Sequence, residues 1–155
     1  MIVFLDSGIL GLVSSPSNIS EARECKQWLY QLLARGAYVV SSDICDYEVR
    51  RGLMLASLTQ PREQGIGNLE ALAEIIDFLP ITKQALKKAA KFWAEARSQG
   101  IPTADTKNID ADMIICAQCQ LFQEEYPGQY VVIATTNVKH LERFAEAENW
   151  RNISL

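Results

Sequence analysis

Histidine, excess positive charge and long apolar runs are scarce or missing in this sequence. His140 is the single histidine in 155 residues, which argues against a zinc site completed by imidazoles. The formal net charge of −4 argues against binding nucleic acid by bulk charge alone, but leaves open a nucleic acid held through metal ions. No apolar run approaches the ~20 residues of a membrane span, so membrane-spanning helices are not expected.

The cysteines do not suggest a metal site or disulfides. Cys116 and Cys119 are spaced as C-x-x-C, but Cys25 and Cys45 form no second pair with metal-ligand spacing. We therefore expect buried, reduced thiols. The N-terminal MIVFLDSG lacks the basic region of a secretory signal, and we expect a cytoplasmic protein. The composition, 48% hydrophobic and 22% charged, fits a globular protein, here one domain over residues 1–155.

Short apolar segments alternate with helical patterns along the chain. Such an alternation predicts βαβ units and an α/β fold: a three-layer α/β/α domain with four or five mostly parallel strands. Strands are predicted at residues 2–5, 38–40, 78–81 (an edge strand, because of Pro80) and 130–134, with a weak one at 152–155. Helices are predicted at 7–13, 20–34, 43–57, 69–77, 82–98, 111–124 and 138–147, with a loop at 59–67 and a polar connector at 101–109.

Asp6 and Glu48 are the first two candidate metal ligands. Asp6 ends the first apolar run, so it stands at the carboxyl edge of a strand, where open parallel sheets bind ligands; it could equally cap the next helix. Glu48 falls within a predicted apolar helical stripe that includes Ile44 and Met54. A carboxylate there must be paired, bound to a metal or turned into a cleft. An ion pair with Arg51 is the structural alternative.

Two acids open the helix predicted at 111–124. Asp110 and Asp112 compete to cap its first turn, and we assign the cap to Asp110 and the site to Asp112. Asn137 follows the strand at 130–134, where it or Thr136 could cap the next helix. If three carboxylates and an amide share one cleft, a hard cation such as Mg²⁺ or Mn²⁺ would relieve their repulsion. The expected chemistry is metal-assisted phosphodiester hydrolysis.

Four segments, in order along nearly the whole chain, resemble a known family. They are residues 3–7 (VFLDS), 47–51 (YEVRR), 112–117 (DMIICA) and 134–138 (ATTNV). The chain resembles the PIN-domain ribonucleases, especially the VapC-type toxins of bacterial toxin–antitoxin pairs. The resemblance implies a compact α/β/α fold, a Mg²⁺- or Mn²⁺-dependent cleft, endonucleolytic RNA cleavage, frequent homodimerisation and inhibition by a small antitoxin.

The resemblance also implies roles for individual residues. Asp6, Glu48 and Asp112 match the three acidic positions of the family, and Asn137 stands where many relatives carry a fourth acid. An amide oxygen can bind a metal ion but brings no negative charge. This argues against a second tightly bound ion. Thr136 resembles a hydroxyl residue beside the family's site, and Ser7 could orient a ligand or water in the same way.

Other functions remain as alternatives. Candidate RNA contacts near the cleft are Arg50, Arg51, Lys107, Lys139 and Arg143, any of which could be a solvated surface charge. A phosphatase with an Asp6 nucleophile would need a second aspartate where Gly8 stands, and a receiver-like domain would need an acidic pair after the first strand. The non-enzymatic alternative is a degenerate PIN-like module that binds a protein or RNA without cleaving it.

Overall fold

A computed structural model of the protein describes residues 1–60, 64–101 and 110–155. Lys107 and nearly all of the predicted connector at 101–109 lie outside these residues. The elements, in chain order, are β1 (Ile2–Leu5), α1 (Ser7–Ser14), α2 (Ser20–Ala34), β2 (Tyr38–Ser42), α3 (Asp43–Thr59), α4 (Gln64–Leu72), β3 (Asp77–Leu79), α5 (Lys83–Ser98), α6 (Ala111–Glu125), β4 (Val131–Thr135), α7 (Val138–Leu141), β5 (Ala147–Asn149) and a 3₁₀ turn (Trp150–Asn152).

The described strands form a parallel sheet in the order β3-β2-β1-β4-β5. β1 and β4 lie side by side at its centre, with Leu5 paired to Ala134. Every residue of these two strands is buried, as expected for parallel strands covered on both faces. The predicted α/β/α architecture with a parallel sheet is therefore confirmed, and the ends of β1 and β4 meet at one edge.

Helices pack in two groups around this sheet. α1 packs against α2 and α3, whereas α5 packs against α6. The C-terminal residues are fastened to α2, because the Trp28 indole N–H donates to the Ile153 carbonyl oxygen at 2.8 Å. The Trp28 and Trp150 rings also lie 5.6 Å apart, centre to centre. No helix in the described ranges combines the length and apolar character needed to cross a membrane.

The segment around α4 differs from the prediction. Residues 64–72 are helical, although a loop was predicted to residue 67, and β3 already begins at Asp77, where a helix was predicted. Gly65 explains the difference. A glycine favours a loop in the sequence, but here it lies where α4 contacts α3 closely. A Cβ atom at Gly65 would lie 2.6 Å from Leu53 Cδ2 on α3. The absent side chain therefore lets α4 approach α3 closely.

The last helix and strand also differ from the prediction. α7 ends at Leu141 rather than near residue 147, and the final strand is β5 at Ala147–Asn149 rather than at 152–155. A turn follows α7, closed by the Phe144 N–H donating to the Leu141 carbonyl oxygen. Both side chains are buried and hold the turn against the core. In the sequence, their spacing looks the same as that of a longer helix. The edge position predicted for β3 is confirmed.

All four cysteines are buried and free, as predicted. Burial raises the pKa of Cys25, Cys45 and Cys119 to about 12, and it raises the pKa of Cys116 as well. Thiols with such pKa values stay protonated at neutral pH, and a protonated thiol is a poor metal ligand and nucleophile. The C-x-x-C pair therefore contributes to the core.

Candidate active site

Asp6 lies where β1 ends and α1 begins. Its carboxylate accepts a hydrogen bond from the Ile9 backbone N–H at 2.8 Å, so it is the N-cap of α1, the structural alternative considered from sequence. Its own N–H donates to the Ala134 carbonyl oxygen on β4 at 3.3 Å. Only 8% of the residue is exposed. The cap and the sheet together hold the carboxylate at the carboxyl edge of the two central strands.

The surroundings of Asp6 have opposing effects on its charge. Burial raises the pKa of Asp6 above its ordinary value, because the carboxylate loses contact with water. Hydrogen bonds from the Thr135 hydroxyl and from the Ile9 and Gly8 N–H groups act in the opposite direction, and the charge of Glu48 raises the pKa further. Ionised Asp6 therefore benefits from a nearby cation, and no lysine or arginine of the described residues forms an ion pair with it.

Glu48 is held by α1 across the cleft. The Ser7 hydroxyl donates to Glu48 Oε1 at 2.8 Å, which joins the first turn of α1 to the second turn of α3. Arg51 Nη2 lies 3.6 Å from the other Glu48 oxygen, so the ion pair considered from sequence does form. It is long, and 60% of the Arg51 side chain is exposed, which makes its contribution to stability small. The Glu48 side chain is 30% exposed.

The helix that carries Glu48 differs from the prediction. The predicted apolar stripe of α3 is not in the core over most of its length. Ile44 is buried, but the large side chains that follow are exposed by 52% to 82%, and these define what we call the outer α3 face: Tyr47, Met54, Leu55 and Leu58. Glu48 therefore lies at the border between the cleft and an uncovered apolar surface, rather than inside a core stripe.

Asp112 enters the cleft from the first turn of α6. Asp110 is the N-cap of that helix and accepts a hydrogen bond from the Met113 N–H at 3.4 Å, as predicted, so Asp112 is not needed as a cap. Asp112 Oδ2 lies 3.1 Å from His140 Nε2, a contact that the sequence did not indicate. Burial raises the pKa of Asp112; His140 opposes this, and the charges of Asp110, Asp6 and Glu48 add to it.

The end of β4 places a second threonine, Thr135, beside Asp6. Thr136 and Asn137 are both exposed, whereas Thr135 is fully buried and its hydroxyl hydrogen-bonds to Asp6. The Thr135 hydroxyl also accepts the Asn137 N–H at 2.9 Å. Strand register could have shown this, because Leu5 pairs with Ala134 and the next residues, Asp6 and Thr135, are therefore neighbours. The Asn137 side chain does not cap α7.

The three acids share one electrostatic environment. Glu48 raises the pKa of Asp6, and both raise the pKa of Asp112, so the sheet edge brings together charges from three separate segments. Carboxylate oxygens whose negative charge is only partly compensated fit Mg²⁺ or Mn²⁺, and such an ion also retains several waters. Within the described ranges, no three His, Cys, Asp or Glu side chains already surround a single point as a metal cage. An ion here would complete its shell with water.

The candidate cations differ in availability. Arg50 is committed to structure, because it pairs with Asp46 at 2.9 Å and with Glu70 at 2.5 Å. Arg143 donates a hydrogen bond to Gln99. Lys139 is exposed on α7, beside His140. Arg51 and Lys139 are therefore the better placed of the described candidates to meet a polyanion at the cleft.

Solved structures share this fold, although no protein-family model and no curated protein matches the sequence. A chain of the VapBC2 complex from Rickettsia felis, bound to promoter DNA, aligns with a TM-score of 0.69 and 18% identity over 97% of this chain and 99% of that one. A chain of VapBC-1 from nontypeable Haemophilus influenzae gives 0.66 and 20% identity over 98% and 100%. A toxin–antitoxin complex from Klebsiella pneumoniae gives 0.60 and 19% over 97% and 99%. The expected PIN-like fold is thereby confirmed.

Proposed function

We propose that the protein is a metal-dependent endoribonuclease and the toxin of a toxin–antitoxin pair. The observation that carries the proposal is the convergence of Asp6, Glu48 and Asp112 at the carboxyl edge of the sheet, where Glu48 raises the pKa of Asp6 and both of these acids raise the pKa of Asp112. A module that only binds proteins has no need to concentrate partly buried carboxylates in this way. The PIN-like fold and the complexes in which it occurs agree with the proposal.

The residues divide the work of such a reaction. Asp6, Glu48 and Asp112 would hold Mg²⁺ or Mn²⁺ through carboxylate oxygens, with Asn137 as a neutral fourth donor. When bound, the ion supplies a water of lowered pKa and stabilises charge on the phosphodiester. The Thr135 hydroxyl and the Ile9 N–H orient Asp6, and the Ser7 hydroxyl orients Glu48 at 2.8 Å. Arg51 and Lys139 would contact the phosphates of the RNA strand.

The outer α3 face supports a protein partner. Large apolar side chains exposed together on one helix are a feature of interaction surfaces. The structures that share the fold are toxin–antitoxin complexes, and we assign this face to a cognate antitoxin. Tyr47 lies one residue from Glu48, so a partner bound there would reach the mouth of the cleft. We also propose that the protein forms a homodimer. Its substrate would be RNA in the cytoplasm.

A binding-only module is the second candidate, and Asn137 favours it. The amide brings no charge where the resemblance implies a fourth acid, and the three carboxylates are not already gathered around one point. On this alternative the cleft would bind RNA or a partner without cleaving it.

Cleavage of RNA by the purified, partner-free protein separates the two functions. We expect Mg²⁺- or Mn²⁺-dependent cleavage of single-stranded or structured RNA, and we expect Asp6→Asn to lower the rate by at least about a hundredfold, because it removes a central ligand charge. Glu95→Gln on α5 is the control, since that residue is exposed and its one ion pair among the described residues is with Lys91, at 4.0 Å. Equal cleavage in EDTA, or by Asp6→Asn, would contradict the proposal. Metal-bound wild type that cleaves no RNA would support the binding-only module.

A further inference from the structure

His140 is the one aromatic nitrogen donor beside the acids in the described part of the chain. It lies on α7, and its Nε2 atom is 3.1 Å from Asp112 Oδ2. The position is well fixed, because the adjacent Leu141 is 1% exposed and anchors α7 in the core. The His140 side chain is 21% exposed, so one side of the ring remains open towards solvent. The proposed mechanism gives this residue no role.

The spacing of the two atoms equals that of neighbouring ligands on one metal ion. With metal–ligand bonds of about 2.1 Å at right angles, adjacent donor atoms lie roughly 3 Å apart. Asp112 Oδ2 and His140 Nε2 are separated by 3.1 Å. Both atoms could therefore bind the same octahedral ion with little movement, once the direct contact between them is replaced by two bonds to the metal.

A nitrogen donor changes which ion the cleft prefers. Mg²⁺ favours oxygen ligands and retains its waters, whereas transition-metal ions such as Mn²⁺ also accept imidazole. We propose that His140 is a metal ligand, paired with Asp112, that makes the site favour Mn²⁺ over Mg²⁺. This inference rests on the proposed metal-dependent function and adds the identity of the ion. The other charged groups around Asp112 are Asp110, Asp6 and Glu48, all of which supply oxygen.

The structural alternative is a hydrogen bond that only ties α7 to α6. These helices contact each other, and an imidazole N–H donating to a carboxylate is a common tie between elements. On that alternative, replacing His140 lowers thermal stability and leaves metal preference unchanged. The two roles therefore differ in what they do to metal binding, independently of any RNA cleavage.

Electron spin-echo spectroscopy of bound Mn²⁺ tests the ligand directly. Because the sequence contains a single histidine, tag-free protein labelled with ¹⁵N-histidine carries the label at His140 alone. We expect nitrogen modulation of the Mn²⁺ signal in unlabelled protein and a change to the ¹⁵N pattern in labelled protein. Wild-type protein is used, so the result does not depend on a variant folding. Bound Mn²⁺ without histidine modulation would overturn the inference.

Calorimetry of metal binding tests the preference. His140→Gln should weaken Mn²⁺ binding about tenfold or more, while Mg²⁺ binding changes by less than about twofold. Gln84→Ala, a charge-neutral change at an exposed position of α5, is the control and should change neither affinity. Equal weakening of both ions, or of neither, would contradict the assignment.

The outcomes also separate this inference from the proposed function. If RNA cleavage depends on metal but His140→Gln leaves the ratio of Mn²⁺ to Mg²⁺ affinity unchanged, the nuclease stands and the histidine ligand does not. If the wild type binds neither ion, both fail. If Mn²⁺ binds through His140 and no RNA is cleaved, the ligand stands and the nuclease fails.

Discussion

The end of β1 and the outer half of α3 have similarly apolar sequences and opposite environments. Leu5 is completely buried beside β4, whereas Leu58 is 82% exposed. The first segment runs through the middle of a sheet covered on both sides, and the second exposes its large apolar side chains to solvent. The contrast shows that apolar side chains at helical spacing predict a surface that packs against something else. The element that packs against it can belong to another protein chain.

Matched leucine truncations give the largest expected difference between the two regions. Leu5→Ala should lower the free energy of unfolding by about 2–5 kcal/mol, because it opens a cavity in a closely packed core. Leu58→Ala should change it by less than ~0.5 kcal/mol, since the side chain has few neighbours to lose. Chemical denaturation of both variants measures the difference. Similar losses would mean that α3 is covered by its own chain or by a second copy in solution.

A charge on the outer α3 face tests whether that surface serves a partner. With the protein encoded by the neighbouring gene as the candidate antitoxin, we expect Leu55→Glu to weaken binding at least about tenfold, or ~1.4 kcal/mol, because it buries an unpaired charge. Leu86→Glu on α5 is the control, an apolar residue that is 48% exposed. Binding can be followed by calorimetry. Unchanged binding by Leu55→Glu would assign the antitoxin to another surface.

Replacing Ser7, the residue after Asp6, tests whether its hydrogen bond to Glu48 supports the candidate active site. Ser7→Ala removes the hydrogen bond to Glu48 and should lower the RNA cleavage rate about tenfold, because Glu48 loses its orientation. Ser57→Ala removes a comparable bond, to the Met54 carbonyl oxygen, on the exposed part of α3, and should leave the rate unchanged. Equal rates for wild type and Ser7→Ala would show that Glu48 needs no such support.

The smallest expected effect concerns the stability of the metal-free protein. Burial raises the pKa of Asp6 above 3.8, so the native state binds that proton more tightly than the unfolded chain, and stability falls as the pH rises through the raised pKa. Asp6→Asn removes the charge and keeps an N-cap residue. In EDTA, its melting temperature should exceed that of the wild type at pH 7, and the gap should close as the pH falls. A less stable Asp6→Asn protein at pH 7 would contradict the burial cost.

Strand sequences predicted the fold well because burial on both faces leaves a clear signal. β1 and β4 read as continuous apolar runs, and their register places Asp6 next to Thr135. The Asp110 cap was predictable for a similar reason, since caps are local. The contact between Thr135 and Asp6 was missed because it depends on pairing between strands. The His140 contact with Asp112 was missed because α7 and α6 meet only in the tertiary structure.

The errors in α3 and α4 have a different origin. A helical stripe shows which face is apolar but not how far along the helix the rest of the chain reaches, so the exposure of Met54 and Leu58 could not be read from it. Likewise, glycine favours a loop locally, but Gly65 serves a contact with Leu53 that only the packed helices reveal. In both cases the missing information was the position of a neighbouring element.

The hydrogen bond between Ser7 and Glu48 connects the outer α3 face to the candidate active site through one helix. One end of this helix is pinned at the sheet edge by that 2.8 Å contact, and the other end carries the outer α3 face into solvent. A partner that displaces Leu55 or Leu58 would shift the whole of α3, including the turn that carries Glu48, because the helix is continuous. A protein that tilts α3 can therefore alter how Glu48 is held without touching any of the three acids.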